Sequence, residues 1–182
     1  KADVPLPSGG FLQATAAAEN ELAARVLDAA KGFTALADLF CGIGPFALRL
    51  ARRASVFAAD SDKAAIAALA AGFRKAQGLK PVIAERRDLF REPLTPFELN
   101  RFDCVVLDPP RAGAKAQIAE LARSKVRRVI YVSCDPQSFA RDAAVLLNAG
   151  YALGPVTPVD QFAFSAHVEL VAVFDRTGTS RR

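Results

Sequence analysis

Cys134 is the residue of this chain whose surroundings best suit a nucleophile. It follows an apolar run and precedes Asp135-Pro136, which is typical of a helix start. The partial positive charge at a helix N-terminus favours a thiolate, and the thiolate is the reactive form of cysteine. Cys41 and Cys104 fall within apolar runs, where cysteine is usually a small buried residue. We therefore predict that Cys134 is catalytic and that the other two are not.

Two carboxylates could act beside this thiol. Asp108 follows an apolar run and precedes Pro109-Pro110, which stiffen the loop and direct the acid out of the sheet edge. The alternative is that Asp108 caps the next helix or pairs with Arg111. Glu169 alternates with His167 on one face of the last predicted strand. A charged side chain so close to an apolar strand core usually has a partner or a function, so Glu169 is a candidate general base.

A thiolate and a carboxylate together suit methylation of carbon 5 of a uracil ring. That carbon is a weak nucleophile, but addition of a thiolate to carbon 6 gives an enolate that can attack a sulfonium methyl group. A carboxylate can then remove the proton from carbon 5, and elimination of the cysteine restores the ring. The chain contains one histidine, which excludes a multi-histidine metal site.

The glycine-rich segment over residues 36–47 predicts a strand, a tight turn and a helix. Gly42 and Gly44 let the backbone turn sharply and approach a ligand, and Pro45 suits a first helical turn because it has no N–H to leave unpaired. Asp60 ends the next apolar run, where a carboxylate can bond a ribose hydroxyl. The alternative is that Asp60 is a helix N-cap. The pattern Gly-x-Gly-x-x-Ala fits either a dinucleotide or S-adenosylmethionine.

Strand-like and helical segments alternate along most of the chain. Strands are predicted over 36–40, 55–60, 81–85, 103–107 and 126–133, and helices over 14–31, 45–53, 62–77, 115–123 and 136–148. This alternation predicts a doubly wound, mostly parallel α/β sheet with right-handed crossovers. Residues 151–159 and 167–174 lie too close together for a crossover helix, so we expect an antiparallel hairpin.

Ligands bind at the carboxyl ends of the strands in sheets of this kind. The residues that follow predicted strand ends are the 38–44 segment, Asp60, Asp88, Asp108 and Cys134. Their convergence at one edge is the strongest functional indication in the sequence.

Length and composition indicate one domain. The 182 residues are enough for a single core, with a loop and a helix over residues 1–31, the sheet over 32–175 and a basic tail over 176–182. No apolar run approaches the roughly 20 residues of a membrane span, and we expect a cytoplasmic monomer. Because the chain contains no methionine, we expect it to be part of a longer protein.

The net charge of +5 comes with basic clusters at residues 86–87, 123–128 and 181–182. Clustered arginines favour a polyanionic partner. The alternative is that they are solvated helix ends and a tail.

In this order the motifs resemble those of the S-adenosylmethionine-dependent RNA 5-methyluridine methyltransferases, which act on uracils of tRNA or ribosomal RNA. The resemblance covers nearly the whole chain. It is carried by Phe11-Leu12-Gln13, by residues 38–44, by Asp108-Pro109-Pro110-Arg111, by Ser133-Cys134-Asp135-Pro136 and by His167-Val168-Glu169. Pro45 and Asp135 stand where the family commonly has Asn. Family members usually carry an N-terminal RNA-binding region, and nothing in this chain resembles it.

The resemblance implies a Rossmann-like class I methyltransferase fold, S-adenosylmethionine as cofactor and RNA as partner. It implies that the cofactor is bound by Gln13, Phe40, Gly42, Asp60, Asp88 and Asp108. Cys134 would be the nucleophile, Glu169 the general base and Asp108 part of the catalytic loop, with no metal. Among the basic residues, we expect Arg111, Arg127 and Arg128 to contact RNA.

Two other functions fit part of the pattern. A nicotinamide-dependent oxidoreductase would use the glycine turn and Asp60, but it leaves Cys134 and Glu169 without roles. A non-catalytic RNA-binding module could retain the same fold.

Overall fold

The computed structural model describes residues 16–160 and 168–178. Within them the strands are β1 (Ala35–Leu39), β2 (Ser55–Asp60), β3 (Val82–Arg86), β4 (Cys104–Leu107), β5 (Arg128–Ser133), β6 (Tyr151–Asp160) and β7 (Val168–Arg176). The helices are α1 (Ala16–Ala29), α2 (Ala47–Leu50), α3 (Lys63–Lys75), α4 (Pro96–Leu99), α5 (Lys115–Ala122) and α6 (Pro136–Asn148).

The strands form one sheet in the order β3-β2-β1-β4-β5-β7-β6. The first five run parallel, and β7 lies antiparallel between β5 and β6. The predicted α/β sheet and its antiparallel hairpin are therefore confirmed. The hairpin carries an irregularity between Leu153 and Val156, where the register shifts.

Helices cover both faces of the sheet because successive side chains of each strand point to opposite sides. One apolar cluster joins α1, α2 and α3 to one face, and it includes Leu22, Leu48, Leu69, Val106 and Ile130. The other joins α4, α5 and α6 to the opposite face, and it includes Leu99, Ile118, Leu146, Val105 and Tyr131. Strands β1, β4 and β5 are thus buried on both faces, as their continuous apolar runs predict.

Two segments differ from the sequence prediction. The helix expected over residues 45–53 is reduced to α2, because Pro45 and Phe46 lie in a turn and the chain turns again after Leu50 to reach β2. The proline-containing stretch before β4 holds an unpredicted short helix, α4. It begins with a capping box in which Thr95 and Glu98 satisfy each other's backbone amides.

Cys41 and Cys104 are buried, as predicted. Burial raises the pKa of both thiols, so neither is a thiolate near neutral pH. No helix within the described residues has both the length and the apolar character of a membrane span.

Candidate active site

The carboxyl ends of the parallel strands meet at one edge of the sheet. The strand order reverses direction between β1 and β4, which is where sheets of this class bind ligands. Leu39, the last residue of β1, pairs with Ala59 of β2 and with Leu107 of β4. The residues just beyond these positions, Asp60 and Asp108, are therefore neighbours of the turn that follows β1.

The turn after β1 is fastened to β2 by Asp60. One carboxylate oxygen of Asp60 accepts a hydrogen bond from the Gly42 amide at 2.9 Å, and the other accepts one from the Asp62 amide at 2.9 Å. The N-cap of α3 is Asp62, whose side chain accepts from the Ala64 and Ala65 amides. The alternative interpretation of Asp60 as a helix N-cap is therefore wrong.

The backbone of this turn is strained and closely packed. Phe40 has a φ of 61°, the left-handed region that residues with a Cβ seldom adopt. Gly44 has a φ of 83°, and a Cβ at this position would collide with the side chain of Leu69. Strain of this kind concentrates at ligand sites, where the surrounding structure holds it in place.

Asp38 is a buried acid at this edge; the sequence places the 38–44 segment there but gives Asp38 itself no role. It is fully buried in β1, and neither carboxylate oxygen has a hydrogen-bond partner among the described residues. Burial raises the pKa of Asp38 well above its usual range, and the charges of Asp108 and Asp60 add to the effect; the nearby Ala47 amide opposes it without reaching hydrogen-bond geometry. The sequence signal was an acid inside an otherwise apolar run directly before the glycine turn.

Asp108 lies directly after β4 in the same group of carboxyls. Burial raises its pKa to about 7, and the charges of Glu169 and Asp60 add to the effect. Asp108 is neither the cap of the next helix nor the partner of Arg111. The N-cap position of α5 is Ala114, with no side-chain cap, and the ion-pair partner of Arg111 is Asp135, at 3.9 Å.

Cys134 and Glu169 are brought together by the pairing of β5 with β7. Ser133 pairs with Leu170 across these antiparallel strands. Cys134, which follows Ser133, and Glu169, which precedes Leu170, therefore face one another beyond the end of β5. Burial raises the pKa of Glu169. A carboxylate with a raised pKa is a stronger base near neutral pH.

The expectation of a thiolate at Cys134 is not met in the ligand-free chain. Burial raises the pKa of this thiol, and Glu169 and Asp108 raise it further, whereas its own amide and Arg111 lower it. The N-terminus of α6 is also occupied, because the Asp135 side chain accepts a hydrogen bond from the Ser138 amide at 2.8 Å. Burial, together with the nearby carboxylates, therefore outweighs the helix end.

An aromatic pair lies beside the glycine turn. The rings of Phe40 and Phe90 are 5.3 Å apart between centroids and tilted by 57°. Asp88 accepts a hydrogen bond from the Phe90 amide at 3.0 Å and so holds the second ring in its turn. Arg87 fixes this loop further by a bidentate pair with Glu98, at 2.6 and 3.1 Å.

Arg127 and Arg128 lie at the opposite end of the sheet from these groups. They are at the amino end of β5, where Arg127 pairs with Asp103 at 2.8 Å and Arg128 pairs with Asp175 at 2.7 and 2.8 Å. Only Arg111 lies beside Cys134, so RNA contact by Arg127 and Arg128 stays a prediction that concerns a surface away from this edge. The Arg111 side chain is 69% exposed. Gln13 and His167 lie outside the described residues.

The strand-end groups suit a ligand with three features. The unpartnered, buried carboxyl of Asp38, together with Asp60 and Asp108, favours positive charge. The Phe40–Phe90 pair offers a surface for a flat ring. Asp60 can accept a hydrogen bond from a hydroxyl group in addition to its backbone contacts. S-adenosylmethionine has a positive charge, an adenine ring and a ribose, so these residues fit it.

Comparison with known proteins finds a matching family and relatives that are named RNA methyltransferases. Residues 6–177 match the family model described as tRNA (uracil-5-)-methyltransferase. An uncharacterized RNA methyltransferase of Brucella suis is 56% identical over 176 residues, which is 97% of this chain and 42% of the relative. The 23S rRNA (uracil(1939)-C(5))-methyltransferase of Pseudomonas putida is 41% identical over 140 residues, 76% of this chain and 31% of that protein.

A solved structure shows the same fold. The tRNA (uracil-54, C5)-methyltransferase of Pyrococcus abyssi, crystallised with S-adenosyl-L-homocysteine, superposes with a TM-score of 0.83 at 30% identity. The superposed region is 95% of this chain and 42% of the Pyrococcus abyssi chain. The chain thus spans less than half the length of the relatives it matches.

Proposed function

The chain belongs to the tRNA (uracil-5-)-methyltransferase family, and from this membership we propose that it is the catalytic part of an enzyme that methylates carbon 5 of a uridine in RNA. The observation that carries the proposal is the meeting of Cys134 and Glu169 at the end of β5, beside the carboxyl-lined edge of the sheet. The relatives act on ribosomal RNA or tRNA by name, and we propose a uridine of one of these RNAs as the substrate.

The methyl donor of this proposal is S-adenosylmethionine, which supplies an electrophilic methyl group on a sulfonium when bound. Asp60 would bind its ribose, and Phe40 with Phe90 would contact its adenine, next to Asp88. Asp38 and Asp108 would face its positive charge. Gln13 is proposed from the family resemblance alone.

Cys134 and Glu169 act at different steps on the uracil ring. The Cys134 thiol loses its proton to solvent, and its sulfur forms a bond to carbon 6. Glu169 takes no part in this step; it lies beside Cys134 and is a stronger base than an exposed carboxylate. The addition makes carbon 5 nucleophilic. Once carbon 5 has gained a methyl group, Glu169 accepts the proton from that carbon, and Cys134 leaves carbon 6. Arg111, exposed beside Cys134, is placed to meet an RNA phosphate.

Two variants of the full-length protein test this assignment by what each accumulates. Cys134→Ala should form neither product nor covalent adduct with RNA, because carbon 5 is never activated. Glu169→Gln should still join Cys134 to carbon 6 but fail to release it, leaving a protein–RNA complex that survives denaturing electrophoresis. RNA that contains 5-fluorouridine should trap the unmutated enzyme in the same way, since fluorine cannot leave as a proton.

The matched control is Cys104→Ala, which removes a thiol that is fully buried near the amino end of β4. It should retain adduct formation. Adduct formation by folded Cys134→Ala would overturn the nucleophile assignment. Binding of S-adenosylhomocysteine and RNA by the unmutated protein with neither product nor adduct would favour the non-catalytic module. Calorimetry with NAD tests the nicotinamide alternative, and binding of NAD but not S-adenosylhomocysteine would favour it.

A further inference from the structure

A buried carboxylate on α6 holds the segment that follows Asp108. Asp142 is 1% exposed. One of its oxygens accepts hydrogen bonds from the Tyr131 hydroxyl and the Ala114 amide, each at 2.7 Å. The other accepts from Arg141 Nε and Nη2 at 3.0 and 2.8 Å. Arg141 Nη2 also donates to the Ala112 carbonyl at 2.9 Å, so the two neighbouring residues of α6 fasten both sides of one loop.

The loop approaches α6 so closely that only glycine fits at the point of contact. Gly113 has a φ of 75°, and a Cβ there would lie 2.5 Å from Arg141 Nη2 and 2.7 Å from Asp142 Oδ2. Real Cβ atoms do not come so near to other heavy atoms, so a side chain would push the loop away from the helix. The Gly113 amide donates to the Pro110 carbonyl at 2.8 Å, which closes the turn.

This network joins the two segments that carry the proposed chemistry. Tyr131 lies in β5, three residues before Cys134, and α6 begins two residues after Cys134. The loop that Asp142 and Arg141 hold begins at Asp108 and includes Arg111, and its two prolines limit its freedom. Asp142 thus ties the Asp108 loop to β5 and α6, the two elements that flank Cys134, through hydrogen bonds that are shielded from solvent.

We propose that Asp142 is a positioning residue: it touches no reacting atom, but it sets the Asp108–Arg111 segment against Cys134 in the geometry that the reaction needs. This inference rests on the proposed function. Its consequence is a selective loss. Methyl transfer depends on the spacing of the two segments. The proposed cofactor contacts Phe40 and Asp60 lie at the ends of β1 and β2, with which Asp142 shares no hydrogen bond in the described part of the chain. Asp108 would face the positive charge of S-adenosylmethionine, which S-adenosylhomocysteine lacks. A misplacement of about 1 Å can lower a rate by about 100-fold.

Asp142→Asn in the full-length protein tests the inference. The side-chain NH2 group of the asparagine takes the place of one acceptor oxygen and would face the donors that this oxygen binds. Hydrogen exchange of the Ala112–Ala114 amides should become at least tenfold faster, while exchange within α3 stays unchanged. The kcat at saturating RNA should fall about 10- to 100-fold, with the Kd of S-adenosylhomocysteine changed less than twofold. Tyr131→Phe, which leaves the carboxylate and its other partners, should change kcat less than about threefold.

If Asp142→Asn does not fold, Gly113→Ala replaces it in the test. This variant disturbs the same contact from the loop side and should give the same selective loss of kcat. Asp103→Asn is the control, since it breaks an ion pair at the opposite end of the sheet, and its kcat should match that of the unmutated protein. Folded Asp142→Asn with unchanged kcat, or with kcat and cofactor affinity lowered alike, overturns the inference. If the unmutated protein makes no product, the proposed function fails, and the exchange measurement alone then decides whether Asp142 holds the loop.

Discussion

Asp108 should make the ligand-free protein less stable as the pH rises, and Asp108→Asn should remove that loss. Burial and the charges of Glu169 and Asp60 raise the pKa of Asp108 from 3.8 to about 7. In the unfolded chain the same carboxyl ionises near pH 4. Between about pH 4 and pH 7 the folded state therefore binds more protons than the unfolded state, and the free energy of unfolding falls with rising pH. Three pKa units correspond to about 4 kcal/mol, an upper value because Asp108 keeps some contact with solvent.

Urea unfolding of the unmutated protein and Asp108→Asn, from pH 5 to pH 8.5, measures this directly. The difference in the free energy of unfolding should grow by about 2–3 kcal/mol in favour of the variant up to pH 7 and then level off, since about two of the three pKa units lie in this window. Asp103→Asn, whose ion pair lies at the far end of the sheet, should show no such growth. If the difference for Asp108→Asn stayed constant with pH, the pKa of Asp108 would not be raised in the folded protein. The electrostatic account of the site would then be refuted.

Three further predictions concern the cofactor, the loop beside it and RNA. Asp60→Ala should weaken S-adenosylhomocysteine binding by about 1–3 kcal/mol in calorimetry, because a charge-assisted hydrogen bond to ribose is lost; unchanged affinity in a folded variant would contradict the assignment. Arg87 lowers the pKa of Glu98 to about 2, so this pair stabilises the fold above about pH 4.5 and the contribution disappears as the pH falls towards 2. Glu98→Gln should remove about 1–3 kcal/mol at pH 7 and less at pH 3, and an equal loss at both would refute it. RNA affinity should fall with salt in a log–log plot, and a slope near zero would argue against an RNA partner.

The fold could be predicted because its signals are local. Continuous apolar runs such as that of β4 predicted buried parallel strands, and the short gap before β7 left no room for a crossover helix. The helix α4 was missed because its four residues contain too few apolar positions to show a period. The shortening of α2 depends on the path back to β2, which is set by packing against the sheet and leaves no mark in the local sequence.

A site residue could be predicted from the sequence only where its position at the end of a strand is enough to assign it to the site. Asp60 and Asp108 were found because each ends an apolar run. The position of Arg127 and Arg128 could also be predicted, because residues at the start of a parallel strand lie at its amino end, opposite the ligand edge. The role of Asp142 could not be found, since its partners Tyr131 and Ala114 meet it only after α6 packs against the sheet.

The fold opposes the thiolate that the sequence predicts at Cys134. The helix end was visible in the sequence, but burial and the charges of Glu169 and Asp108, which raise the pKa of Cys134, arise only in the folded sheet. The charge of Asp108 likewise raises the pKa of Asp38, after burial. Buried carboxyls gathered at one edge destabilise the free chain, and a positively charged ligand among them would relieve that repulsion. The arrangement is therefore unfavourable for the empty protein and favourable for a sulfonium compound, which is the property that a site for S-adenosylmethionine requires.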